Sequence, residues 1–115
     1  MKIIAKEIVG PNAISMQSGQ LLYKQISKPL ISGETVEIDF QGVEFFASPF
    51  FNASIGFLIQ DIKISDLQKN LKITNLSEIG RQLLNLVISN AIKFYDKKNT
   101  SEESLQIIIK NAEGH

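Results

Sequence analysis

Short strand-forming runs alternate with amphipathic helical runs along most of this 115-residue chain, and that alternation constrains its fold more than any other feature. The clearest strand is 35–40, in which apolar Val36, Ile38 and Phe40 alternate with charged residues. Similar patterns predict strands at about 2–9 and 70–76, and Val43-Glu44-Phe45 resumes an extended apolar path after the interruption at Gln41-Gly42. A further strand is predicted at 104–110, where the Ile107–Ile109 run favours a strand although 101–103 resembles a helix start.

Three helices are predicted between these strands. The first begins with Ser18 as its N-cap and ends at Ser32-Gly33. The second has Ser48 as N-cap and Pro49 in the first helical position, and it runs to about 62–64. Its buried stripe is predicted to contain Phe51, Ile55, Leu58, Ile59 and Ile62.

The third predicted helix, at about 78–95, has Ser77 as its N-cap and is the longest of the three. Its apolar residues recur with helical spacing, so we expect them to form one buried stripe: Ile79, Leu83, Leu86, Val87, Ala91 and Phe94.

The predicted order is therefore β-α-β-α-β-α-β, which is typical of an α/β domain. We expect a mainly parallel mixed sheet with helices packed on it. The length fits one domain covering 1–115, with 112–115 as a frayed tail.

The composition argues against several classes of chemistry. The chain has no Cys, and its single His is His115, so thiolate nucleophiles, Ser-His-Asp triads and zinc sites lack their residues. The seven glycines are scattered and form no phosphate-binding loop. We expect a protein that is not an enzyme and that uses no metal and no cofactor.

Charge and hydropathy narrow the expected partners. Twelve basic and twelve acidic residues cancel, and no basic stripe suggests nucleic-acid binding. No run approaches the ~20 apolar residues of a membrane span. We therefore expect no nucleic acid and no membrane among the partners, and a cytoplasmic location.

The segment 39–59 contains six of the chain's seven Phe residues, together with Ser48, Pro49 and Asn52. One interpretation is a core segment, in which Ser48 caps the helix, Asn52 locks the strand–helix loop and Gly56 allows the helix to pack closely on the sheet. The other is a binding surface, because ligands of open α/β sheets favour the carboxyl ends of strands. In that case the Ser48 hydroxyl is also a candidate phosphorylation site.

The phrase "VEIDFQGVEFFASPFFNASIGFLI", residues 36–59, resembles the signature of a STAS-like domain family of unknown function. The later "NL…LLNLVISNAIKFY" is similar to that family's last helix and includes Asn90 and Ala91. The resemblance implies a small bacterial domain related to anti-sigma factor antagonists. The matching residues of the signature are Asp39, Phe40, Gly42, Val43, Ser48, Phe51, Asn52, Ala53, Ile55 and Gly56.

The resemblance implies a regulatory protein-interaction module that docks on a histidine-kinase-like ATPase through the 46–52 loop and the following helix. The candidate contact residues are Phe46, Ala47, Ser48, Pro49 and Asn52. Anti-sigma factor antagonists carry an Asp-Ser-Ser-Gly-like loop with a phosphorylated Ser. Here Ala47-Ser48-Pro49-Phe50 stands in its place, and only Ser48 retains a hydroxyl.

Two other functions remain open from the sequence. A small-ligand or nucleotide sensor would use the same strand edge, and a structural homodimer would form through the Phe-rich helix.

Overall fold

The computed structural model describes residues 1–95, so the predicted strand at 104–110 and the predicted tail at 112–115 lie outside the described residues. Strands in the described range are β1 (Lys2–Ile4), β2 (Asn12–Ala13), β3 (Val36–Asp39), β4 (Phe45–Phe46) and β5 (Leu71–Thr74). Helices there are α1 (Ala5–Val9), α2 (Met16–Ile31), α3 (Ser48–Phe51), α4 (Ile64–Asn70) and α5 (Glu78–Tyr95). A π turn, Asn52–Gly56, continues α3 directly.

The described strands form two sheets, and every pairing in them is parallel. One sheet has the order β1-β3-β5, with Ile38 opposite both Ile3 and Ile73. In the other, β2 pairs with β4. The expected α/β class with parallel strands is thus confirmed. The predicted simple alternation is wrong, because α1, β2, β4 and α4 are additional elements.

The predicted first strand, 2–9, is a strand only as far as Ile4 and then becomes α1. β1 has by then reached the end of its partner, since Ile4 pairs with Asp39, the last residue of β3. The following Ala5, Lys6 and Glu7 are good helix formers. The residues on either side are β-branched and favour a strand, so the sequence predicts a strand over the whole of 2–9: these are Ile3, Ile4, Ile8 and Val9.

Helix α2 begins earlier than predicted. Ser15 is its N-cap, and the Ser15 hydroxyl accepts a hydrogen bond of 3.0 Å from the backbone N–H of Ser18. Ser18 therefore lies inside the first turn and is not the cap. The predicted end is confirmed, since Ser32 is the C-cap and Gly33 follows with φ +87°.

The predicted second helix is split into separate parts. The α-helical conformation of α3 gives way to the π turn, the chain turns at 59–63, and α4 then leads into β5. The turn is needed because β5 must run parallel to β3 and therefore start at the same end of the sheet. All five apolar residues of the predicted stripe are buried, as expected.

Helix α5 has the predicted bounds and cap, but its buried face differs from the predicted one. Val87 and Ala91 are buried as expected, whereas Ile79, Leu86 and Phe94 are exposed. Apolar residues form two stripes along α5, and their helical spacing alone does not show which stripe is buried. The buried residues of α5 are Gly80, Leu84, Val87, Ala91 and Ile92.

The helices gather on one face of the larger sheet. Helix α3 and the π turn contact both α2 and α5. On the helix side, Ile38 is fully buried, whereas the adjacent row Lys2–Glu37–Lys72 is polar and partly or fully exposed. The core centres on Phe40, Phe50 and Phe51, which contact one another edge to face.

Candidate functional site

The connection from β3 to α3 places the site at the carboxyl end of the sheet. After Asp39 the chain makes a tight turn, in which Val43 N–H donates to the Phe40 carbonyl over 3.0 Å. Gly42 adopts φ +85° in that turn, a conformation that glycine accepts without steric cost. β4 and the start of α3 follow immediately, so residues 45–52 come after the carboxyl end of β3, the central strand of the larger sheet.

Asp39 holds the two strand ends of this region together. Its Oδ1 accepts hydrogen bonds of 2.9 Å from the Asn75 side-chain amide and from the Gln41 backbone N–H, and Lys2 lies 3.7 Å from its Oδ2. These contacts lower the pKa of Asp39 below the ordinary carboxyl value, the Asn75 hydrogen bond contributing most. Asp39 therefore has a structural role here, as an ionised anchor.

Phe46 points into the molecule. Its ring stacks on Phe51 with centroids 5.7 Å apart and meets Phe40 edge to face at 5.8 Å. A Cβ atom placed on Gly80 of α5 would lie 3.2 Å from the same ring. Phe46 thus fastens the loop to the core, and its ring is only partly accessible to a partner.

Phe45 points the other way and is 59% exposed. In the small parallel sheet, Phe45 is opposite exposed Asn12 and Phe46 is opposite buried Ala13, as the alternation of side chains along a strand requires. Phe45 was not among the predicted contact residues. The signal was present in the sequence, since two adjacent Phe residues on one strand cannot both face the core.

The starts of α2 and α3 are held side by side. The Ala47 N–H donates to the Ala13 carbonyl over 3.1 Å, which ties the residue before α3 to the end of β2. Three further apolar side chains of these connected segments are exposed: Ile14, Met16 and Pro49.

Ser48 does not cap α3. The N-cap is Ala47, and Ser48 lies inside the first turn, where its carbonyl accepts the Asn52 backbone N–H. The half-buried Ser48 hydroxyl makes no hydrogen bond to any of residues 1–95. Capping therefore does not account for this hydroxyl, and phosphorylation of Ser48 stays a prediction.

The π turn packs between α2 and α5. Gly56 approaches Val87 of α5 so closely that an added Cβ would lie 3.0 Å from the Val87 side chain, which corrects the expected packing of Gly56 on the sheet. On the other side, Gly19 of α2 lies against the Phe50 carbonyl and Ala53. Within the turn, the buried Ser54 hydroxyl donates to the Phe50 carbonyl over 2.8 Å. Such π turns occur frequently at functional sites.

Asn52, the first residue of the π turn, is exposed and lies between two grooves. The α2–α3 groove, about 470 Å³, is mostly apolar and is lined by Met16, Gln20, Tyr23, Pro49, Asn52, Ala53 and Phe57. The α3–α5 groove, about 310 Å³, is lined by Asn52, Gly56, Asn90, Ala91, Phe94 and Tyr95. The Asn52 side chain forms no hydrogen bond within residues 1–95, so the interpretation that it locks the loop has no support.

Two general features bear on the site. Residues 1–95 contain no group of three or more His, Cys, Asp or Glu side chains placed to bind a metal ion. No helix in that part of the chain combines the length and the apolar character needed to cross a bilayer.

Comparison with known proteins gives one match. Residues 18–81, more than half of the chain, match the model of a family described as a STAS-like domain of unknown function. The matched part begins within α2 and ends at the start of α5, so it contains the whole connection and its π turn. A search of curated proteins and a search of solved structures each returned no match.

Proposed function

Since the chain belongs to the family of STAS-like domains of unknown function, we propose that it is a non-enzymatic protein-interaction module. The docking surface that we propose comprises Ile14, Met16, Phe45, Pro49 and Asn52, with the α2–α3 groove beside it. The observation that carries the proposal is the outward position of Phe45 while its neighbour Phe46 holds the same loop on the core.

The chemistry of this surface suits an apolar partner surface. Aromatic and Met side chains are enriched at protein interfaces, and a few such residues supply most of the binding free energy. Asn52 adds amide donors and an acceptor at the rim of the groove. The loop is already held by Phe46 stacking and by the Ala47–Ala13 hydrogen bond, so docking costs little ordering of the backbone.

For the class of partner we propose a histidine-kinase-like ATPase, by resemblance to anti-sigma factor antagonists. Ser48 lies next to exposed Pro49 in the docking surface. A phosphate on Ser48 would add about −1.5 to −2 charge to an apolar contact and would weaken docking. Mass spectrometry of the protein after incubation with the partner ATPase and ATP tests this switch, with Ser48→Ala as control. Unmodified Ser48 would remove the switch and leave docking itself unaffected.

Met16 and Ile31 provide a matched pair for testing docking. Both lie on α2, both are 55% exposed, and they occupy opposite ends of the helix. We expect Met16→Gln to weaken binding of the partner about tenfold, the effect of losing about 1.4 kcal/mol at a contact residue. Ile31→Gln should bind like the unmodified protein. Partner capture followed by titration calorimetry measures both.

Phe45→Ser extends this test to the aromatic residue of the docking surface, and we expect it to weaken binding further than Met16→Gln. Thermal unfolding of each variant verifies that its fold is retained. Equal affinity of the Phe45→Ser, Ile31→Gln and unmodified proteins would place docking elsewhere.

A small-ligand sensor is the second candidate function. The α2–α3 groove, at about 470 Å³, falls within the usual volume of small-molecule sites, and its polar side chains are few. A ligand that raises the unfolding temperature of the protein, but not of a variant with Gln20→Phe in the exposed lining of the groove, would support it. A homodimer is distinguished from both by light scattering at several protein concentrations.

A further inference from the structure

Helix α5 carries a row of exposed side chains, most of them apolar, beside the face that it buries. Ile79 and Leu86 are 67% and 54% exposed, and Phe94 is 65% exposed. Leu83 is half-buried and Asn90 is exposed. These five residues recur every three or four positions, so their side chains lie in one row along the helix, the α5 stripe. Exposed apolar patches of this kind mark interaction sites on protein surfaces.

The α5 stripe is nearly symmetric about Leu86. Leu83 lies three residues before Leu86, and Asn90 lies four residues after it. Ile79 and Phe94, seven residues before and eight after, both lie about 11 Å from Leu86 along the helix axis. A row with this spacing matches itself when a second copy of the helix is reversed and laid against it. Such self-complementarity is the condition for a contact with two-fold symmetry.

We propose that two copies of this chain form a dimer in which their α5 helices pack antiparallel along the α5 stripe, with the two-fold axis at Leu86. Leu86 of each copy then contacts Leu86 of the other, and Ile79 of one helix lies near Phe94 of the second. Asn90 faces Gln82 of the second copy, whose amide can share a hydrogen bond with it. This dimer uses neither the Phe-rich helix nor any residue of the docking surface.

Charges at the two ends of α5 favour the antiparallel arrangement. Glu78 lies in the first turn and Lys93 in the last, and both are exposed. Neither forms an ion pair with another of residues 1–95. Being fifteen residues apart, they lie about 60° apart around the helix, on the same side of the α5 stripe. In an antiparallel pair each Glu78 is beside Lys93 of the second copy, whereas a parallel pair would bring like charges together.

The size of the contact determines the expected strength of the dimer. Helix α5 has 18 residues and is about 27 Å long. Phe57, which is 38% exposed with its ring 6.3 Å from that of Tyr95, adds apolar area at the far end. One helix pair belongs with the small interfaces, below about 1,200 Å², that are usually transient. We therefore expect a reversible dimer whose fraction rises with protein concentration.

Sedimentation equilibrium of the full chain, from micromolar to millimolar concentration, tests the dimer. We expect the average mass to rise from that of one chain toward that of two. Leu86→Glu places two like charges at the two-fold axis and should weaken the dimer about 100-fold. The matched control is Leu21→Glu on α2, since Leu21 is 48% exposed against 54% for Leu86, and it should dimerise like the unmodified protein. Thermal unfolding verifies that both variants are folded.

Disulfide formation tests the orientation of the helices. The chain contains no Cys, so a single introduced Cys can pair only with its counterpart in a second copy. We expect Leu86→Cys to form a linked dimer on mild oxidation. The two positions of Ile79→Cys would lie about 21 Å apart along the helix axis, beyond the Cα separation of about 7 Å that a disulfide can bridge. Ile79→Cys should therefore link at least about tenfold more slowly.

Three results would overturn the proposal. The first is the mass of a single chain at every concentration of the unmodified protein. The second is a dimer that persists in Leu86→Glu, which would place the contact on another surface, such as the Phe-rich helix. The third is linking of Ile79→Cys as fast as that of Leu86→Cys, as expected for parallel helices or for random collision.

Discussion

Neighbouring residues of the connection have opposite roles, because a strand directs successive side chains to opposite faces. Phe46 stacks on Phe51, whereas Phe45 faces solvent. Asp39 and Asn75 also differ in backbone conformation at the strand ends. Asp39 is the last residue of strand β3, whereas Asn75 adopts φ +57° just after β5, and the Asn75 side-chain amide donates to the Asp39 carboxylate.

Replacement of Asn75 separates its hydrogen bond from its backbone conformation. Asn75→Gly retains access to positive φ but loses the hydrogen bond, so we expect the pKa of Asp39 to rise toward its ordinary value of about 3.9. NMR titration of the Asp39 carboxyl measures this change. Asn75→Ala also loses the hydrogen bond and should be less stable than Asn75→Gly by about 1 kcal/mol, the cost of a left-handed conformation.

The pH dependence of this effect has a definite sign. Because the pKa of Asp39 is lowered in the folded protein, its stabilising contribution is present above the ordinary carboxyl pKa and is lost as the pH falls through the lowered value. Urea unfolding should therefore show a larger difference between the unmodified protein and Asn75→Gly at pH 7 than at pH 3. A difference independent of pH would show that Asn75 acts without Asp39.

Among the elements, α2 and α5 each begin after a Ser at the N-cap, whereas α3 begins after Ala47. The Ser77 hydroxyl accepts the Gly80 N–H over 3.1 Å at the start of α5. Ser48 lies one residue too far into α3 to do the same. A cap requires extended backbone geometry, and Ala47 takes that geometry because its N–H completes the pairing with Ala13.

The pair Ser77→Ala and Ser48→Ala measures this difference. We expect Ser77→Ala to lower the free energy of unfolding by about 1 kcal/mol, and Ser48→Ala to change it by less than about 0.5 kcal/mol. Denaturant unfolding at neutral pH measures both, and Ser77→Asp should restore most of the loss. Equal losses for the two alanine variants would show that Ser48 stabilises α3 in solution.

The crossing of α2 and α3 depends on the absence of a side chain at Gly19. An alanine normally stabilises a helix by up to about 1 kcal/mol relative to glycine. Here its Cβ would overlap the Phe50 carbonyl and lie 2.9 Å from the Ala53 Cβ, so we expect Gly19→Ala to destabilise the protein by about 1–3 kcal/mol. Gln25→Ala, at an exposed position of the same helix, should have little effect. A stabilising Gly19→Ala would mean that the helices separate readily.

At the scale of the whole molecule, the docking surface and a second apolar groove, of about 470 Å³ beside β5, lie on different sides of α3 and the π turn. The docking surface belongs to the starts of α2 and α3, and the groove beside β5 lies between α4 and α5. Their lining residues have no member in common. Distant sites that share no contacts act independently.

We therefore expect Ile88→Lys, in the groove beside β5, to leave partner affinity unchanged within about twofold, unlike Met16→Gln. Titration calorimetry on both variants measures this. A loss of affinity in Ile88→Lys as large as that in Met16→Gln would show that the groove and the docking surface are coupled through α3.

The sequence by itself determined the α/β class, the parallel strands, the bounds of α5 and the segment that identifies the family. These follow from local patterns: alternation in 35–40, the helical spacing after Ser77, and the signature in 36–59. Only the tertiary structure decided which apolar stripe of α5 is buried, that 5–9 is a helix, and that Phe45 rather than Phe46 is exposed. Each of these depends on a contact between distant parts of the chain, such as Val87 at Gly56 or Ala13 opposite Phe46, and local periodicity carries no record of such contacts.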